Sequence, residues 1–190
     1  MENEIRVLGI DPGFASIGLA VVRLTDIGEQ PELLKVFSTE KSAKKLNVMA
    51  SADNVRRARE LSDVITSLIE RYNIKLICAE SMSFPRSSSI AAKMAMCWGA
   101  MSAISQIKNI PILQATPMQI KKKICGVKSA SKADIEESIR IKYGDIIETL
   151  IENEHICKTE REHPIDALAA IVACSESETF MMMHQMRRAA

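Results

Sequence analysis

No stretch of this sequence stays apolar for the roughly 20 residues that a membrane-spanning helix needs, which excludes a helical membrane protein. The start, MENEIRVLGI, has neither the basic leader nor the apolar core of a secretory signal. Five cysteines (Cys78, Cys97, Cys125, Cys157 and Cys174) are scattered without a CxxC pair. An odd, dispersed set argues against a disulfide framework or a zinc site and predicts reduced thiols in the cytoplasm. Net charge is nearly absent, +1, so overall charge does not predict a nucleic-acid partner. Internal repeats and a convincing domain boundary are also missing, and 190 residues read most simply as one domain. What remains is ordinary globular composition, 47% hydrophobic and 26% charged, enough to bury a sizeable core.

The periodicity supplies the elements. EIRVLGID is a short apolar strand that runs into the turn Asp11-Pro12-Gly13. LAVVRL reads as a second strand, and LLKVFSTE, Leu33 to Glu40, as a third reached through a turn at IGEQP. Three strands in succession predict an antiparallel meander. From Ser51 the spacing becomes helical, with Val55, Ala58, Leu61, Val64, Ile65, Leu68 and Tyr72 on one face. That leaves Arg56, Arg57 and Arg59 on a solvated face. IKLICAE is nearly continuously apolar, as a strand buried on both sides should be, and ends at Glu80.

After the loop SMSFPRSSS, IAAKMAMCWGAMSAISQIK predicts a helix whose small residues admit close approach by another helix or subunit. IPILQAT is a fifth strand, Pro117 opens the short helix MQIKKKI, and Ser131 with Asp134 caps KADIEESIRIKYG. The segment from about Asp145 to Glu162 reads as a loop. A buried helix follows in REHPIDALAAIVAC, with Pro164 in its first turn. Asp166 reads as an acid facing the positive end of that helix. The remainder, 176–190, reads as a frayed helix, a tail or an oligomer contact. The order β-β-β-α-β-α-β-α-α-α implies an α/β fold, one mixed sheet with helices on its faces.

Asp11 and Glu80 each close a strand, and ligands gather at the carboxyl ends of parallel neighbouring strands. If the first and fourth strands are such neighbours, the two carboxylates lie side by side and repel unless a cation sits between them. A hard cation such as Mg²⁺ resolves that conflict. His163 and Asp166, three residues apart at a helix start, face one direction and would complete a four-ligand cluster for one or two metals. Two metals about 4 Å apart activate water and stabilise the leaving oxygen in phosphodiester hydrolysis.

The succession GIDPG, GLAV, AES, TPMQIKKKICGVKSASKADI and HPIDALAAIVA resembles the RuvC-type Holliday-junction resolvases, from about Glu4 to Cys174. The resemblance implies a ribonuclease-H-like fold, with three antiparallel strands followed by two parallel ones, flanked by helices. It implies a nuclease domain over 1–175 and a C-terminal tail over 176–190, flexible or dimer-associated. The family's acidic site maps onto Asp11, Glu80, His163 and Asp166, with Mg²⁺ as cofactor. Its third position is often Asp, and an imidazole there suits Mn²⁺ better than Mg²⁺. Neutral His163 must be the ligand, so acid should weaken this site sooner than an all-carboxylate one.

QIKKKICGVKSASK, taken alone, reads as a solvated lysine-rich loop. By resemblance, Lys121 and Lys132 fall on the two family lysines that support catalysis and junction binding. Lys132 would neutralise charge developing at the scissile phosphate. Lys122, Lys123 and Lys128 would extend a salt-sensitive DNA surface. Family members carry an aromatic three residues after the catalytic Glu, where this chain has Ser83. Phe84, followed by Pro85 and Arg86, either takes over base contact or packs. The resemblance further implies a homodimer built on the helix after the Glu80 loop, making paired symmetric nicks in Holliday junctions during DNA recombination and repair. A broader nuclease for flaps and forks and a weakly catalytic junction-binding protein are the rival readings. An actin-like nucleotide binder would need two such domains, and 190 residues are too few.

Overall fold

Near-continuous burial of the central strands marks a sheet covered on both faces. In the computed structural model, which describes residues 4–82 and 87–189, β1 (Arg6–Asp11), β2 (Ser16–Thr25) and β3 (Gly28–Ser38) form the antiparallel meander. β4 (Ile74–Glu80) pairs in parallel with β1, and β5 (Ile112–Ala115) in parallel with β4. The resulting order is β3-β2-β1-β4-β5, the mixed five-stranded sheet expected from sequence. β3 begins at Gly28 rather than Leu33, because Thr25 and Gly28 pair across a tight turn. Pro31 is tolerated within it because β3 is an edge strand with a register shift opposite Val21 and Val22.

Alternate residues of the strands feed two cores. Leu8 and Ile10 of β1 and Ile77 and Ala79 of β4 face α1 (Ala50–Tyr72) and α2 (Ser88–Lys108). Val7 of β1 and Leu76 and Cys78 of β4 face the opposite layer. That layer comprises α3 (Pro117–Cys125), α4 (Lys132–Tyr143), α5 (Ile146–Asn153), α6 (Glu162–Cys174) and α7 (Glu178–Ala189). α6 is its centre: Ala167 through Val172 are all buried against the sheet. None of the helices among the described residues is long and apolar enough to cross a membrane.

Four local expectations change. The segment expected to be a loop, Asp145 to Glu162, contains α5, held by Ile147, Leu150 and Ile151 at helical spacing. Over the last stretch, α7 seats Phe180 in the core and places His184 Nε2 3.0 Å from the Thr25 carbonyl. Val55, expected on the buried face of α1, is 47% exposed, whereas Arg57, expected in solvent, is 3% exposed. In α6 the first-turn acid is Glu162; Asp166 lies in the second turn, beyond the strongest field of the helix end.

Candidate active site

Strand periodicity carries both acids to the α6 side of the sheet. Val7, Gly9 and Asp11 alternate on one face of β1, and Leu76, Cys78 and Glu80 on the same face of β4. Since Ile10 pairs with Ala79 in parallel register, Asp11 and Glu80 emerge side by side at the carboxyl ends. α6 reaches them because two strand positions lack a side chain. A Cβ at Gly9 would lie 2.2 Å from the Ala167 carbonyl oxygen, and one at Gly18 would lie 2.1 Å from that of His163. Gly18 is also the β2 partner of Asp11, so the start of α6 rests directly beside the β1 carboxylate. Sequence reasoning did not single out these glycines; glycine inside an otherwise apolar strand was the available signal.

His163 Nδ1 lies 2.9 Å from Asp11 Oδ2. With Nδ1–H donating to that carboxylate, a neutral ring keeps its lone pair on Nε2. The Asp11 hydrogen bond raises the imidazole pKa, against the opposing effect of burial. Glu80 is pushed up to about 7 by burial first, then by the charges of Asp11 and Asp166. Asp166 is pushed up to about 6, mainly by burial, with the Asp11 charge adding and Lys132 opposing. These carboxylates therefore share a poorly solvated space with insufficient positive charge.

Lys132 is the nearest compensation. Its Nζ lies 3.0 Å from Glu162 Oε2 and 3.4 Å from Asp166 Oδ2. Burial disfavours the ammonium, but Glu162 and Asp166 together outweigh it and raise its pKa. A capping box holds the lysine there: Asp134 N donates to Ser131 Oγ and Ser131 N donates to Asp134 Oδ2, so α4 starts at Lys132. Glu162 had not been singled out from sequence; its signal was its place beside the His-Pro step.

Among the described residues, no set of three His, Cys, Asp or Glu side chains forms a ready-made metal cage. Asp11 is bonded to His163 and Asp166 to Lys132 instead. The donors nevertheless fit a divalent cation: they are carboxylate oxygens and an imidazole, and their mutual repulsion is what a cation between them would relieve.

The remaining lysines divide. The Lys121 charge opposes the rise of the Glu80 carboxyl and adds to the lowering of Asp134, though it is not the main influence on either. Lys122 and Lys123 line a groove of about 650 Å³ between β5, α3 and the end of α6, where Lys123 pairs with Glu176. Lys128 is exposed in the α3–α4 connection. Phe84 and Arg86 lie outside the described residues.

Known proteins share this architecture. Residues 7–173 match the family described as Crossover junction endodeoxyribonuclease RuvC. The protein of that name from Natranaerobius thermophilus is 24% identical over 139 residues, covering 70% of this chain and 78% of the relative. Thermus thermophilus RuvC superimposes with a TM-score of 0.69 at 20% identity, covering 90% of this chain and 93% of that one. T. thermophilus RuvC in complex with Holliday junction substrate gives 0.67 at 19% identity over the same shares, 90% and 93%. With the family match running from the first strand to the end of α6, this chain belongs to the RuvC family of crossover junction endodeoxyribonucleases.

Proposed function

We propose that the chain resolves four-way DNA junctions as a homodimer, hydrolysing one phosphodiester in each of two symmetric strands and leaving 5′-phosphate and 3′-hydroxyl ends. One observation carries the site assignment: Asp11 and Glu80 end neighbouring parallel strands where α6 brings His163 to 2.9 Å from Asp11 and Lys132 lies 3.4 Å from Asp166. Asp11, Glu80, His163 and Asp166 would hold Mg²⁺ or Mn²⁺. Such a cation, when bound, supplies Lewis acidity and lowers the pKa of a coordinated water. Binding it requires Glu80 and Asp166 to surrender their protons and His163 to be neutral.

Lys132 approaches the phosphate and offsets the charge that grows there, with Lys121 behind it. Water adds to phosphorus in line as the bond to the 3′ oxygen breaks, and that oxygen takes up a proton. Lys122, Lys123, Lys128 and Arg86 would meet backbone phosphates away from the cut, and Phe84 the bases at the crossover. The second subunit would sit on the outer face of α2, where Ile90 and Ile107 are 53% and 79% exposed and small residues separate them. The nuclease domain would occupy 1–175, with 176–190 as a supporting appendage.

The test is cleavage of a synthetic four-way junction titrated with Mg²⁺ and with Mn²⁺, alongside forked and linear duplexes. Wild type should cut the junction fastest, Asp11→Asn should bind without cutting, and His163→Asp should shift preference toward Mg²⁺. Equal cutting by wild type and Asp11→Asn would refute the site. Tight binding without cutting in either metal would make the chain a junction-binding protein, and equal rates on forks would widen its substrate class.

A further inference from the structure

We propose that Arg57 is a positioning residue for cleavage: with Thr39, it fixes the backbone just after Asp11 and thereby the bearing of the Asp11 carboxylate. The inference rests on the nuclease reading above. The chain leaves β1 at Asp11 and must reverse within Pro12–Ala15 to enter β2 at Ser16. That loop has no regular hydrogen-bond ladder of its own, so its shape depends on what grips it.

The grip comes from three other elements. Arg57 Nη2, from α1, donates to the Phe14 carbonyl at 3.4 Å, and its Nε donates to Thr39 Oγ1 at 2.8 Å. Thr39 Oγ1 donates in turn to the same Phe14 carbonyl at 2.8 Å, and Thr39 N to the Ala15 carbonyl at 2.8 Å. The guanidinium carbon lies 4.7 Å from the centre of the buried Phe14 ring. From the other side, the buried Cys97 of α2 belongs to the same core cluster as Phe14.

Simple packing does not account for this arrangement. Arg57 is 3% exposed, and no carboxylate among the described residues forms an ion pair with it. Burying a guanidinium without a counter-charge is expensive, and an apolar side chain of similar volume is often the more stable choice at such a site. What an apolar residue lacks is a planar fork that can address Thr39 and the Phe14 carbonyl while lying over an aromatic ring. Arg57 does not contact the carboxylates, so its influence on them runs through the loop. The leverage is large, because a misplacement of about 1 Å at a reacting group can cost on the order of a hundredfold in rate.

The test uses Arg57→Lys, which keeps the charge and loses the fork, and Thr39→Val, which keeps the shape and loses the shared hydroxyl. Three quantities are measured on each: single-turnover junction cleavage at saturating protein and Mn²⁺, metal-free junction affinity, and backbone amide exchange. Both variants should cut about ten- to a hundredfold more slowly with unchanged junction affinity. Amides from Gly13 to Ser16 should exchange faster while those of β4 do not change. Wild-type cutting by the folded variants would overturn the proposal, as would an even rise in exchange across the whole protein. Should wild type itself cut no junction, the nuclease reading fails separately. Unchanged exchange over Gly13 to Ser16 in Arg57→Lys would still refute the role of Arg57 in holding the loop.

Discussion

The two ends of β1 are built from the same kinds of charged residue and reach opposite electrostatic outcomes. At its amino end, Arg6 pairs with Glu32 at 2.7 Å and Glu4 at 2.6 Å, and Arg23 pairs with Glu4 at 3.2 Å. The Arg6 hydrogen bond draws the Glu4 carboxyl below its ordinary pKa. At its carboxyl end, Asp11, Glu80 and Asp166 meet, among the described residues, Lys132, Lys121 and a titratable imidazole, and burial with mutual repulsion lifts Glu80 to about 7. The first cluster closes upon itself across the ends of β1, β2 and β3. The second is left with uncompensated negative charge, the pattern that the nuclease proposed above would use to hold a cation and a phosphate.

That contrast can be broken most strongly at Glu80. Glu80→Gln should reduce junction cleavage by on the order of a thousandfold and yet raise the melting temperature of the metal-free protein at pH 8, because it removes a buried negative charge. Retained cleavage, or a lower melting temperature, would show that Glu80 is not the repelled ligand described above.

A smaller effect should appear with pH. Glu80 and Asp166 have folded pKa values of about 7 and about 6, above ordinary values of 4.5 and 3.8. The folded state therefore holds their protons longer than the unfolded chain does, and their contribution to stability falls as pH climbs from about 4 through 7. His163, also raised, loses its contribution in the same direction. Melting of the metal-free protein should drop by a few degrees between pH 5 and pH 8, and Mn²⁺ should restore more at pH 8 than at pH 5. A melting temperature that rises over this range without metal would contradict the open-cluster description.

The smallest effect belongs to the closed end. Glu32→Gln should lower stability by about 0.5–1 kcal/mol, as partly exposed ion pairs do, and leave junction cleavage at the wild-type rate. Slower cleavage with unchanged unfolding would mean that the two ends of β1 are coupled.

Much of the site was legible because its signals are local. The acids that close β1 and β4 are visible as polar residues ending apolar runs, and period two assigns them a common face. The capping box at Ser131 and Asp134, which aims Lys132, is written within four consecutive residues. Arg57 was not legible: three arginines in four residues look like a solvated face, and only the approach of Phe14 and Thr39 supplies the carbonyl and hydroxyl that let one be buried. α5 escaped because a helix of 8 residues offers too few turns for its periodicity to stand out. Lys122 and Lys123 adjoin Lys121 in sequence, yet the helical turn directs them into the groove beside Glu176.

By itself, then, the amino-acid order determined which segments form the five strands, the capped start of α4 and the acids that close β1 and β4, since each depends on neighbours within a turn or a pleat. The tertiary structure decided which charges stay uncompensated. That depends on how closely α6 can lie over Gly9 and Gly18, and on a long-range field set by distance and burial rather than by position along the chain.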